Sequence, residues 1–215
     1  MRGPRISLPV AVAAGVFVLL LAFGLFVLGP GGNAAADAGG MEAMSLDMDV
    51  AGNTATSLGP WDGCVEARPG DLLTLDVTAL NIPASAPMIG FTFVVGYQEA
   101  VVRVESQDAR FLLAANAGSA LLNLSEATPD QDFNDSWEAN ALDISGTPAE
   151  SGSGILSRLG VTVGRDAPNG QYVLMLMSGY YLDDLNEYGF PKTLNAATIA
   201  VGVPCPPVGA TQTPA

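Results

Sequence analysis

The chain has no histidine and a single lysine, Lys192. Without histidine, neither a Ser-His-Asp nor a Cys-His arrangement can be assembled to take a nucleophile's proton near neutral pH. There is no G-x-S-x-G elbow, no phosphate-cradling glycine loop and no G-x-G-x-x-G after a strand. The two cysteines, Cys64 and Cys205, are too few to complete a zinc site without histidine. Basic side chains are scarce, eight against 22 acidic ones, for a formal net charge of −14. Such a surface repels nucleic acid and anionic lipid, since both are held by cations, and it favours solubility.

What is present is unevenly distributed. Residues 6–28 are apolar and uncharged, and Arg2 and Arg5 precede them. A run of that length spans a bilayer, which takes about 20 residues in a helix. The flanking arginines place the N-terminus inside and everything after it outside. Ala34-Ala35-Ala36 suits signal peptidase, so residues 1–32 are expected to be either a signal anchor or a cleaved signal peptide. Residues 33–44 read as a flexible Gly/Ala spacer, 45–203 as one domain, and 204–215 as a disordered Pro/Thr tail. Cys64 and Cys205 bracket that domain. In an oxidising compartment they read as a disulfide staple, worth roughly 4–5 kcal/mol in the chain-entropy model.

Beyond the spacer, period-two alternation predicts an all-β fold. Leu73, Leu75, Val77 and Ala79 share one face, as do Phe91, Phe93, Val95 and Tyr97. Residues 101–106 alternate as well. Leu159, Val161 and Val163 lie opposite Arg158, Gly160 and Thr162, and Ala197, Ile199 and Val201 form the inward set of a last strand. Turns at Arg68-Pro69-Gly70-Asp71, Ile82-Pro83-Ala84-Ser85, Ala167-Pro168-Asn169-Gly170 and Phe190-Pro191-Lys192 separate them. Short strands punctuated in this way point to a β-sandwich. Residues 172–177 are apolar on both faces, Val173, Met175 and Met177 lying opposite Tyr172, Leu174 and Leu176. A strand like that is either covered on both sides or offers a sticky surface. The economical expectation is that the apolar insertion at 111–124 covers it.

The order of motifs resembles the cohesin family, the β-sandwich modules of bacterial cellulosomes. The resemblance runs through Val65-Glu66-Ala67-Arg68-Pro69-Gly70-Asp71 and Gly90-Phe91-Thr92-Phe93-Val94-Val95-Gly96-Tyr97. It continues with Ser153-Gly154-Ile155-Leu156-Ser157-Arg158-Leu159 and Asp166-Ala167-Pro168-Asn169-Gly170, and it spans residues 65–202. It implies a jelly-roll sandwich of about nine strands whose first and last strands are neighbours, which would bring Cys64 close to Cys205. It also implies non-catalytic recognition of a dockerin-like partner. Two departures stand out. Tyr97-Gln98-Glu99 replaces the usual Tyr-Asp-Pro, and an Asn and an Asp that help grip dockerins correspond to Gly90 and Thr92.

Three candidate sites follow. Thr92 and Val94, outward on their strand, with Val173, Met175 and Met177 beside them, form the expected partner-binding surface. Asp130, Asp132, Asn134 and Asp135 gather oxygens as a calcium loop does. Asp135 stands at the sixth position instead of glycine and Ala141 at the twelfth instead of glutamate, so the loop is not an EF-hand. Asp183, Asp184 and Glu187 lie beside Tyr180, Tyr181 and Tyr188, where paired acids would suit a glycoside hydrolase and the rings would stack on sugar. The leading expectation is an extracytoplasmic module that binds a dockerin-like protein or a polysaccharide. A surface spacer without a ligand is the alternative, and a glycoside hydrolase a lesser one.

Overall fold

The computed structural model describes residues 40–131 and 134–207. The apolar segment at 6–28 lies outside them, and among the described residues no helix is long and apolar enough to cross a membrane. Twelve strands are formed: β1 (Ala43–Asp47), β2 (Cys64–Ala67), β3 (Leu72–Ile82), β4 (Met88–Gly96), β5 (Val102–Asp108), β6 (Leu121–Asn123), β7 (Ser136–Asp143), β8 (Gly152–Val163), β9 (Gly170–Asp183), β10 (Tyr188–Gly189), β11 (Thr193–Asn195) and β12 (Ala197–Val201). Three of them, β6, β10 and β11, are no longer than three residues.

The strands make two sheets. One has the order β11-β1-β3-β8-β5, and the other β2-β12-β9-β4-β7-β6, with β10 added against β9. Pairing is antiparallel except for β1 with β11 and β12 with β2. The inward sets read from alternation meet in one core: Leu75, Val77 and Ala79 from β3, Phe91, Phe93 and Val95 from β4, Leu159, Val161 and Val163 from β8, and Ala197, Ile199 and Val201 from β12. Burial of these side chains, at roughly 25 cal/mol per Å² of apolar surface, is what holds the sheets face to face.

Two boundaries differ from expectation. The sandwich starts inside the stretch read as spacer: Met41 and Met44 are fully buried, and β1 pairs with both β3 and β11. At the other end Cys205 bonds Cys64 across a separation of 141 residues, with Cα atoms 6.0 Å apart. β2 runs parallel to β12, with Cys64 across from Thr198, and beyond β12 the chain turns back at Gly202 (φ +61°), so that Cys205 returns along β2, its N–H donating to Glu66 Oε1 at 3.3 Å.

The insertion does not cover β9. Its 3-10 turn, Leu112–Ala114, buries Leu112 and Leu113 in the sandwich core, and β6 extends the second sheet beyond β7. The covering element lies elsewhere. Residues 48–63, between β1 and β2, fold over the outer face of β1, β3 and β8. There Ile155, outside the main core, is fully buried, its N–H donating to Thr54 O at 3.1 Å.

Glu150 anchors the insertion. Its backbone pairs with Met88, and its carboxylate accepts from Asn116 N at 3.3 Å and Asn116 Nδ2 at 2.7 Å. Burial pushes its carboxyl above the ordinary range, and the nearby Asp143 adds to this. A carboxyl raised on folding binds its proton more tightly in the native state. Its contribution is therefore full below the unfolded pKa and is lost as pH rises through the folded one. Glu150→Gln, which keeps an acceptor for Asn116, is expected to abolish that decline in urea melts run at pH values rising above the ordinary glutamate range. An unchanged pH profile would contradict it.

Candidate recognition face

The outer face of β9, β4, β7 and β6 is built by alternation. On β4, Phe91, Phe93 and Val95 point inward, which leaves Gly90, Thr92, Val94 and Gly96 outward. Register places Tyr180 and Asn140 on either side of Thr92, and Ser178 and Glu138 on either side of Val94. A β-bulge between Val94 and Val95 sets Met177 between the partners Ser178 and Leu176.

The glycines of β4 let its neighbours close over it. A Cβ at Gly96 would stand 2.5 Å from Met177 Sδ, and one at Gly90 would stand 2.8 Å from Leu142 Cδ1. The central strand is thereby overlaid from β9 on one side and from β7 on the other. Met175 and Met177 are 44 % and 61 % exposed. On β6, Leu122 pairs with Leu142, and Leu124 N donates to Asn140 O, so Leu122 and Leu124 continue the same face, both exposed. At the far end Tyr188 is the register partner of Leu182 and packs edge-on against Tyr180, with centroids 5.3 Å apart; Phe190 leans on Tyr180 at 6.1 Å.

Of the five expected surface residues, Val94 and Val173 are half-buried and Met175 and Met177 exposed. Thr92 faces outward but is buried between its neighbours, so it offers little surface. Sequence reasoning missed Leu122, Leu124, Leu142 and Phe190. They belong to segments whose strand character is short or masked by small residues. The alternation of Trp137, Ala139 and Ala141 in β7 was the available signal.

The face is acidic. Glu138 faces out opposite Val94, and Glu126 stands beside it, its Oε2 accepting from Glu138 N at 2.7 Å. No lysine or arginine lies on β4, β6, β7 or β9.

Asp130, Asn134, Asp135 and Asp183 are engaged by the protein itself. Asp130 is buried and accepts a hydrogen bond from the Tyr97 hydroxyl, which burial and this carboxylate hold well above its usual pKa. Asp135 accepts from Glu99 N at 2.9 Å, and Asn134 accepts from Ser136 N and Oγ. Asp132 lies outside the described residues. Among the described residues, no group of three or more Asp, Glu, His or Cys is placed to hold a metal ion. Asp183 is buried and caps its own turn, its Oδ1 accepting from Leu185 N at 2.9 Å and Glu187 N at 2.7 Å, while Asp184 and Glu187 face solvent.

No protein-family model matches the chain, and no curated protein matches it in sequence. Solved structures do match. A cohesin in the Coh-OlpC type I cohesin–dockerin complex from Clostridium thermocellum shares 12% identity at a TM-score of 0.54, over 78% of this chain and 98% of that one. The cohesin of the Coh-OlpA complex from the same organism shares 20% identity at 0.52, over 65% and 94%. The solution structure of CaCohA2 from Clostridium acetobutylicum gives 16% identity at 0.52, over 75% and 92%. The resemblance read from the sequence is thus matched in three dimensions, and the chain has the fold of a cohesin module.

Proposed function

We propose that the protein is a non-catalytic, extracytoplasmic recognition module that docks a dockerin-like protein through the outer face of β9, β4, β7 and β6. One observation carries this reading. Residues 48–63 cover the outer face of the first sheet over the middle of β1, β3 and β8, whereas the second sheet leaves Leu122, Leu124, Met175, Met177, Tyr188 and Phe190 exposed on one side. Clustered apolar surface rimmed by polar residues marks an interaction site. Solved cohesins of the same fold are found in complexes with dockerins. The contact here would be more apolar than one gripped by side-chain amides and carboxylates, since Gly90 lies under Leu142 and Thr92 is buried. Glu126 and Glu138 would favour a partner with basic flanks. The Cys64–Cys205 bond fits an oxidising location outside the cytoplasm.

The aromatic group supports protein over polysaccharide. Tyr180 and Tyr188 are perpendicular at 89°, and Phe190 is tilted 53° from Tyr180, so the rings do not form a flat row on which a sugar chain would lie. The test is calorimetric titration of the purified protein with a panel of dockerins, beside retention on insoluble polysaccharides. Saturable binding of a dockerin without retention supports the proposal. Retention on a polysaccharide with no dockerin bound would replace it with a carbohydrate-binding reading.

A further inference from the structure

Seven methionines are unevenly placed in this chain. Met41, Met44 and Met88 are fully buried and Met48 nearly so, whereas Met175 and Met177 stand exposed two residues apart on β9. Both border β4: Met175 is the register partner of Gly96, and Met177 Sδ lies above that glycine. No β-carbon stands beneath the sulfur, and solvent reaches the side chain from the other direction. The Cys64–Cys205 bond fits a compartment in which peroxide is not continuously scavenged by a thiol pool.

We propose that Met175 and Met177 are a paired oxidation site through which peroxide turns the recognition face off, an inference that rests on the docking reading above. In each step the thioether sulfur attacks one peroxide oxygen. The O–O bond breaks, an S–O bond forms, and the remaining oxygen leaves as water with both protons. The sulfur loses two electrons and the peroxide gains them. The product is a polar, chiral sulfoxide where an apolar, adaptable side chain had been. Two such changes fall beside Val94 and Val173, at the end of the apolar surface that borders Gly96, while the buried methionines that hold the core are shielded. The fold is therefore retained while the surface changes character.

The experiment exposes the folded protein to hydrogen peroxide and follows two readouts. Peptide mass mapping is expected to show one added oxygen at Met175 and Met177 at least about tenfold faster than at Met41, Met44 or Met88, because oxidation follows exposure. Fluorescence of bis-ANS, a probe of apolar surface that needs no partner, is expected to fall by more than half with the unfolding midpoint unchanged. Methionine sulfoxide reductases A and B together should restore it, and a Met175→Leu/Met177→Leu variant should bind the dye and ignore peroxide. Equal oxidation of buried and exposed methionines, or selective oxidation that leaves dye binding unaltered, overturns the proposal. Failure of every dockerin to bind the untreated protein would instead defeat the docking reading, and the two failures are thus distinguishable.

Discussion

Replacing Arg158 with alanine is expected to destabilise the protein by about 3–5 kcal/mol, the usual cost of stripping a buried charge of its partner. Arg158 Nε and Nη2 donate to the two oxygens of Asp76 at 2.7 and 2.9 Å, and Asp76 has no exposed surface. Register places Asp47, also buried, directly across from Asp76. Asn53 Nδ2 bridges them, donating to Asp47 Oδ2 at 3.0 Å and Asp76 Oδ2 at 3.1 Å. Two carboxylates held this close need a cation, and Arg158 supplies it from β8. It also sits 5.1 Å from the Phe111 ring at the start of the insertion. The contrasting variant is Arg110→Ala. Its pair with Asp108 is of similar length, 3.0 Å, but the side chain is exposed, so its loss should leave the unfolding midpoint unmoved. Urea melts compare the two. Equal midpoints for both variants would mean that the network under residues 48–63 is not what holds them down.

Val94→Asp and Met177→Asp are expected to weaken dockerin binding by at least about 2 kcal/mol each, roughly 30-fold in Kd, with little loss of stability. Both side chains point away from the core, so the fold does not depend on their character. Each change adds a carboxylate to a face that already carries Glu126 and Glu138 and removes apolar contact from it. Titration gives the affinity and thermal melts report the fold. A variant that still melts normally and binds as tightly as the parent would exclude the face.

The two-sheet sandwich was legible because its long strands obey period two: Phe91, Phe93 and Val95, or Leu159, Val161 and Val163, announce which side is inside. The disulfide was legible from two cysteines flanking a single domain and from the neighbouring end strands that the resemblance implied. The cover over β1, β3 and β8 was not. Asp47, Asn53, Asp76 and Arg158 come together from three segments, and no local pattern signals that Asp76, lying on an outward face, will be buried. Apolar excess misled in a comparable way. The insertion's Leu112 and Leu113 fill the core, so β9 keeps Met175 and Met177 in solvent. Thr92 faces outward as read but offers less surface than expected, for a third reason. Alternation gives the direction of a side chain but not the size of its cross-strand neighbours, here Tyr180 and Asn140.

The most direct test of the recognition face is amide hydrogen exchange on the protein with and without its bound dockerin. Sheet amides are already protected by pairing, so the informative signals come from slowly opening edges and turns. The account predicts added protection in β6, in β10 and in the β9 segment around Met175 and Met177, with residues 48–63 unchanged. Protection confined to residues 48–63 and the outer side of β1, β3 and β8 would contradict it.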